Sequence, residues 1–166
     1  MPTLRSPFVE VYVFRRAGRD RRRVEFLCVR RAPGRHLTGV WQPVTGKRHR
    51  GETAPAAAAR EVREETGLAP RRWWALEAPA VFYQAERDEL IAVPLFAAEV
   101  APGDAVRLSS EHVEWAFLSA RAAGRRFLWD AQRRALEDVR RQVLAGGPLA
   151  AALALKGRPR ARRRPA

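Results

Sequence analysis

The sequence predicts a mixed α/β domain, and three observations carry that prediction. Short segments alternate apolar with polar residues at the period of two that marks a half-buried strand. Two segments, residues 53–67 and 130–144, instead repeat alanines or apolar residues at helical spacing. Glycine, proline and arginine punctuate the stretches between them, with no internal repeat and no second domain. At 166 residues, the chain is long enough to bury a core as one domain, expected to span residues 1–155.

In chain order, residues 9–14 and 24–29 read as strands joined by an arginine-rich turn at 15–23 containing Gly18. A loop at 30–38, with Pro33 and Gly34, leads through Gly39 to a short extended stretch at 41–45, whose Pro43 suits a sheet edge. The first helix is delimited at both ends: Thr53 is its N-cap, Pro55 sits in the first turn where backbone donors lack partners, and Gly67 is placed to end it. Alanines 56–59 give it high helix propensity and let it lie close against a sheet. Strands are expected at 73–76, 80–85, 90–100 and 113–118, with a tight polar turn at 86–89. Residues 130–144 carry Ala135, Leu136, Val139 and Val143 on one stripe, stopped by Gly146-Gly147-Pro148, and 149–155 form a weak last helix.

Composition narrows the function classes. The single cysteine, Cys28, excludes an internal disulfide and reads as a buried, inert thiol. No stretch approaches the roughly 18 apolar residues of a membrane span, and the N-terminus lacks the apolar core of a signal peptide. A cytoplasmic protein with no membrane partner is expected. The formal charge of +14 suggests a polyanion such as nucleic acid. Six of those charges, Lys156, Arg158, Arg160, Arg162, Arg163 and Arg164, lie in residues 156–166, leaving 14 − 6 = +8 on the body. That stretch reads as a disordered basic tail. Of 32 basic residues only Lys47 and Lys156 are lysines, a bias that a GC-rich genome produces without selection for binding, so nucleic acid ranks behind a small molecule as partner.

The chemistry is concentrated in Glu61, Glu64 and Glu65, at i, i+3 and i+4 of the first helix. Such carboxylates repel one another, and a divalent cation with hard oxygen ligands, Mg²⁺ or alternatively Mn²⁺, relieves the repulsion. Arg60 can hold a neighbouring carboxylate by charge-assisted hydrogen bonds, and Glu52 can join if the chain folds back. Gly46 and Gly51 bracket a loop whose backbone could approach a metal or phosphate. A solvated acidic helix face is the alternative for an isolated Glu-Val-Arg-Glu-Glu; the glycines, Glu52 and Arg60 together favour a metal site.

Residues 46–68 match the pattern Gly-x5-Glu-x7-Arg-Glu-U-x-Glu-Glu-x-Gly-U, with U aliphatic, at every fixed position. In this the chain resembles the Nudix hydrolases. The resemblance implies an α/β/α sandwich with a mixed β-sheet between helices, and Mg²⁺-dependent hydrolysis of a nucleoside diphosphate linked to another moiety. It implies Glu61, Glu64 and Glu65 as metal ligands, the Gly46 carbonyl as a further one, Arg60 as the group orienting them and Glu52 as support. Many relatives are dimers, so a homodimer is compatible with it.

Two further segments bear on substrate. Residues 39–46, Gly-Val-Trp-Gln-Pro-Val-Thr-Gly, are similar to a segment of the Nudix branch that hydrolyses dihydroneopterin triphosphate and deoxynucleoside triphosphates. Ser110-Glu111-His112, followed by a tryptophan-containing strand, is similar to that branch's Thr-Glu-His. The resemblance implies Glu111 in a loop over the metal site, as an additional ligand or as the catalytic base; an ordinary loop carboxylate is the alternative. His112 reads as a hydrogen-bonding histidine, and His36 and His49 as surface residues. Trp41 would stack on a pterin or purine ring or pack in the core, the two being equally open. Arg31, with Arg30 and Arg35, lies where a substrate phosphate would pass, and Lys47 opens a basic run that would draw in a polyphosphate. The expected activity is pyrophosphohydrolysis of a small nucleotide-type substrate, dihydroneopterin triphosphate or a dNTP. Alternatives are a Nudix hydrolase of ADP-ribose, dinucleoside polyphosphates or capped RNA, and a non-catalytic nucleotide or RNA binder, against which the intact glutamate set argues.

Overall fold

A computed structural model describes residues 1–19 and 22–157. The chain order is β1 (Thr3–Arg5), β2 (Phe8–Ala17), β3 (Arg23–Arg31), β4 (Trp41–Gln42), β5 (Val44–Lys47), α1 (Ala54–Thr66), β6 (Arg72–Ala75), β7 (Ala80–Gln84), β8 (Glu89–Val93), β9 (Leu95–Val100), β10 (His112–Leu118), α2 (Ala120–Arg126), α3 (Asp130–Val139) and α4 (Gly147–Leu153). A mixed seven-stranded sheet runs β10-β3-β2-β9-β6, with β4 added to β3 and β5 to β2; β2 and β9 are parallel and the other pairs antiparallel.

Strand β2 is apolar on both faces, as a strand covered on both sides must be. Val9, Val11 and Val13 join Leu27, Val29, Phe96 and Ala98 in a core under α1, which contributes Ala57, Ala58 and Val62. Tyr12 and Phe14 point the other way, joining Phe26 and Cys28 in a second core closed by α2 and α3 through Ala123, Ala135, Leu136 and Val139. The result is the expected α/β/α sandwich. Cys28 is fully buried, and burial pushes its thiol up to about 12.

Helix α1 has the expected ends. Thr53 Oγ1 accepts from the Ala56 N–H, and Gly67, in the left-handed region at φ 68°, donates its N–H to the Arg63 carbonyl. Elsewhere proline redraws the expected elements. The stretch at 41–45 is two strands, one on β3 and one on β2, and the strand at 90–100 breaks at Pro94. There β8 pairs with β7 and β1 in a separate three-stranded sheet, while β9 enters the central one. Proline has no N–H for the ladder, so the chain changes partner at each. Strands β2 and β3 run further into the turn than expected, and α3 continues as a π-helical turn over Arg140–Leu144. The last helix begins at Gly147, and α2, capped by the Ser119 hydroxyl, is a short helix the periodicity did not delimit. The tail expected at 156–166 lies, from residue 158 onward, outside the described residues. Among the described residues no helix is long and apolar enough to cross a membrane.

A Cβ at position 67 would sit 3.3 Å from the Arg107 Cβ, in a backbone conformation L side chains avoid. Gly67→Ala should lower the unfolding free energy by about 1–2 kcal/mol, measured by urea denaturation. An unchanged midpoint would contradict the left-handed C-terminus of α1.

Candidate active site

The site is assembled around one guanidinium. Arg60 Nε and Nη2 donate to the two oxygens of Glu52 at 2.9 and 3.0 Å. Its Nη1 donates to Glu61 Oε1 at 2.8 Å and Glu64 Oε2 at 2.9 Å, and Nη2 also reaches the Lys47 carbonyl at 2.8 Å. Glu52 reaches this position because the motif loop folds back on itself. Arg48 donates to the Ser6 and Glu52 carbonyls, and the His49 N–H donates to Glu52 Oε2. Held by these donors, Arg60 foremost, the Glu52 carboxyl is lowered to about 2.

The three glutamates of α1 occupy different environments. Glu64 is half exposed at 54%, Glu61 is at 12%, and Glu65 is buried at 4%. Glu61 lies against the β5 backbone so closely that a Cβ on Gly46 would fall 1.9 Å from its carboxyl carbon. Glu65 turns under the sheet edge, where its Oε2 has no hydrogen-bond partner and stands 3.8 Å from the equally unpartnered His112 Nδ1. Burial, then repulsion from Glu61 and Glu111, pushes the Glu65 carboxyl up to about 9. Burial and the charge of Arg31 hold His112 down at about 4, so it is neutral near pH 7.

Glu111 arrives from a distant segment. Backbone bonds from Arg107 N to Thr66 O and from Ser109 N to Glu65 O tie its loop to the end of α1, and Ala32 N donates to the Glu111 carbonyl. Its carboxylate remains 45% exposed, 3.9 Å from Arg35 Nη1, and close enough to raise both Glu61 and Glu65.

The donor set suits a cation with oxygen ligands. It offers a buried carboxylate oxygen with no partner, on Glu65, three further carboxylates and a glycine that leaves room for Glu61 against the backbone. Among the described residues, no three acidic, histidine or cysteine side chains converge as a ready-made metal cage. Arg60 draws Glu61 and Glu64 to itself instead, so Glu61, Glu64, Glu65 and Glu111 could hold a metal only with the Glu61 and Glu64 carboxylates turned from the guanidinium. Gly46 itself lies against the Glu61 carboxyl.

The remaining expected residues are distributed around this centre. Arg31 donates to the His36 carbonyl at 2.6 Å while its charge acts on both Glu65 and His112. Lys47 is exposed at the end of β5, its carbonyl engaged by Arg60. Trp41 packs against the α2 side of the sheet with the Arg126 guanidinium 4.5 Å above its ring. Sequence reading passed over two residues. Gln42, buried, donates to Thr45 Oγ1 at 3.1 Å and lies 3.5 Å from His112 Nε2, joining β4 to β10; Arg48 braces the motif loop. Gln42 follows Trp41 in the quoted segment, but nothing local marks it as buried, and Arg48 is one arginine among many.

With the geometry established, similarity to known proteins is informative. The NUDIX domain family profile matches residues 6–139. An octanoyltransferase of Myxococcus xanthus is 40% identical over 92 residues, 54% of this chain; the chain spans 25% of that protein's length. A C. elegans Ap4A hydrolase binary complex superposes with a TM-score of 0.68 at 19% identity, covering 84% of this chain and 98% of that one. The E. coli dihydroneopterin triphosphate pyrophosphohydrolase does so with a TM-score of 0.65 at 22% identity, covering 82% and 96%. At these identities the two structures establish the fold.

The shifted pair makes a testable contribution to stability. A carboxyl whose folded pKa lies above its unfolded value of about 4.3 stabilises below that value and loses the contribution as pH rises toward the folded pKa. A histidine held below its unfolded value of about 6.5 gains stability as pH rises through its own window. Glu65 and His112 therefore oppose one another up to about pH 6.5, and above it Glu65 acts alone. The melting temperature of chelator-treated protein should fall between pH 7 and about 9, the value to which Glu65 is raised, and Glu65→Gln should remove most of that fall. Equal slopes in the two proteins would contradict the assignment.

Proposed function

The chain belongs to the Nudix hydrolase family, and from that premise we propose that it is a cytoplasmic, Mg²⁺-dependent pyrophosphohydrolase of a nucleoside triphosphate-like substrate, dihydroneopterin triphosphate or a dNTP. The observation that carries this reading is the convergence of Glu111 with the Arg60-bridged glutamates beside Gly46. The branch reading is supported by the contact between Gln42 and His112, which joins the two segments similar to that branch. Glu61, Glu64, Glu65 and the Gly46 carbonyl would hold the cation, with Glu111 as an additional ligand or as the base. Bound there, the cation supplies positive charge against the phosphate oxygens and makes water easier to deprotonate.

The protein's own groups position the reaction. Arg60, held along one edge by both oxygens of Glu52, gathers the Glu61 and Glu64 carboxylates at its other edge, from which they turn to a cation. Arg31, Arg35 and Lys47 surround the entrance with positive charge that draws in and orients a polyphosphate chain. Glu111, exposed on its loop, accepts a proton from water as the water oxygen attacks phosphorus. The P–O bond on the far side of that phosphorus then breaks, and pyrophosphate leaves with the electron pair.

Glu64 is exposed and contributes little to packing, so Glu64→Gln should reduce turnover at least about 100-fold while the melting temperature stays near wild type. Near-wild-type hydrolysis would remove Glu64 from the site. Gly46→Ala must displace the Glu61 carboxyl and should also suppress turnover, with a smaller effect on stability. The substrate is tested by pyrophosphate and orthophosphate release from dihydroneopterin triphosphate, dNTPs, ADP-ribose and diadenosine polyphosphates with Mg²⁺. Pyrophosphate from the first two supports the reading, and preference for either of the others overturns it.

A further inference from the structure

The second face of the sandwich carries a feature the catalytic site does not use. Helices α2 and α3 enclose an open groove of about 470 Å³ on the side of the sheet opposite α1, lined by Arg121 and Arg125 from α2, by Arg133 and Glu137 from α3 and by Arg140 from the π-helical turn that continues it. The α3 wall is neutralised internally. Arg133 is paired with Asp130 and donates to the Phe127 carbonyl at 2.6 Å, and Arg140 is paired with Glu137 at 2.7 Å. The α2 wall is not. Arg121 and Arg125 are exposed, and among the described residues neither has an ion-pair, hydrogen-bond or ring partner. They stand at i and i+4, where like charges repel. On a helix that spacing puts their Cβ atoms about 5–6 Å apart, near the separation of successive phosphates along an extended strand.

The turn joining the helices that form the groove's two walls presents Leu128 at 45% exposure and Trp129 at 54%. An exposed indole on the turn that joins the two walls, together with two unpartnered guanidinium groups on one of them, is a combination that suits single-stranded nucleic acid: arginine grips the backbone without reading sequence, and the ring stacks on a base. We infer that the α2–α3 groove binds the sugar–phosphate backbone of single-stranded nucleic acid, with Arg121 and Arg125 on neighbouring phosphates and Trp129 under a base. This site is separate from the α1 centre and independent of its substrate.

The test is fluorescence anisotropy of a labelled oligouridylate of about eight nucleotides with the full chain, from about 50 to 200 mM KCl. Arg121→Ala/Arg125→Ala should weaken binding tenfold or more at the lowest salt. It should also reduce the slope of log K against log salt by about 1.4, at roughly 0.7 per phosphate on a single strand. Trp129→Ala should weaken binding about fivefold or more. The control Arg71→Ala/Arg87→Ala removes the same charge from exposed positions elsewhere and should change affinity by less than about twofold. Equal losses in the two double variants would mean that only net charge attracts the strand, and would overturn the site. Displacement by inorganic tripolyphosphate at equal phosphate concentration would overturn it too, in favour of a small-anion groove. Nucleoside triphosphate turnover by Arg121→Ala/Arg125→Ala should match wild type; a parallel loss would overturn the separation of the two sites.

Discussion

Carboxylates at i, i+3 and i+4 of one helix repel one another, and here Arg60 answers that repulsion from within the same helix. Its five donor positions are shared among Glu52, Glu61, Glu64 and the Lys47 carbonyl. Because Glu52 takes two of them in a bidentate pair, the guanidinium cannot rotate away, and the edge it turns to Glu61 and Glu64 is set by the loop. The motif loop, helix α1 and strand β5 are thereby coupled through one planar group. Lysine could not replace it, since an ammonium offers neither the fork nor the reach to serve three carboxylates.

That coupling requires α1 to lie close against the sheet. Ala57 and Ala58 are fully buried, and Gly46 has no side chain where the Glu61 carboxyl must pass. The close approach then grades the three glutamates from exposed to buried along less than two turns. Glu64 remains in water, Glu61 rests on the β5 backbone, and Glu65 is driven beneath the edge beside His112. A buried carboxyl without a partner costs stability at neutral pH. Glu65 Oε2 and the facing His112 Nδ1 are both buried without a hydrogen-bond partner.

The sandwich also separates two kinds of surface charge. On the α1 face, arginines are mostly engaged with carboxylates and carbonyls that define the centre. On the α2–α3 face, two arginines project into a groove without counter-charge, beside an exposed tryptophan. The same strongly basic composition therefore acts as scaffold on one side and as an accessible field on the other.

What the sequence determined by itself is what depends on neighbours within about a turn of helix or a strand's alternation. Helix α1 with its Thr53 and Gly67 ends, the glutamate spacing and Arg60 beside it all follow from local chemistry, and the strand alternation foretold most of the sheet. Glu111 was anticipated only through resemblance, since a loop carboxylate carries no local signal of its destination. Tertiary structure decided the rest. Backbone bonds from residues 107–109 to the end of α1 bring Glu111 to the glutamates, and Pro43 and Pro94 redirect strands into different pairings. The packing of β4 beside β10 makes Gln42 and His112 neighbours, and burial, reinforced by repulsion from Glu61 and Glu111, lifts Glu65 far above its usual range. Those outcomes depend on which distant backbone donors and apolar surfaces meet, and no periodicity within one segment encodes that meeting.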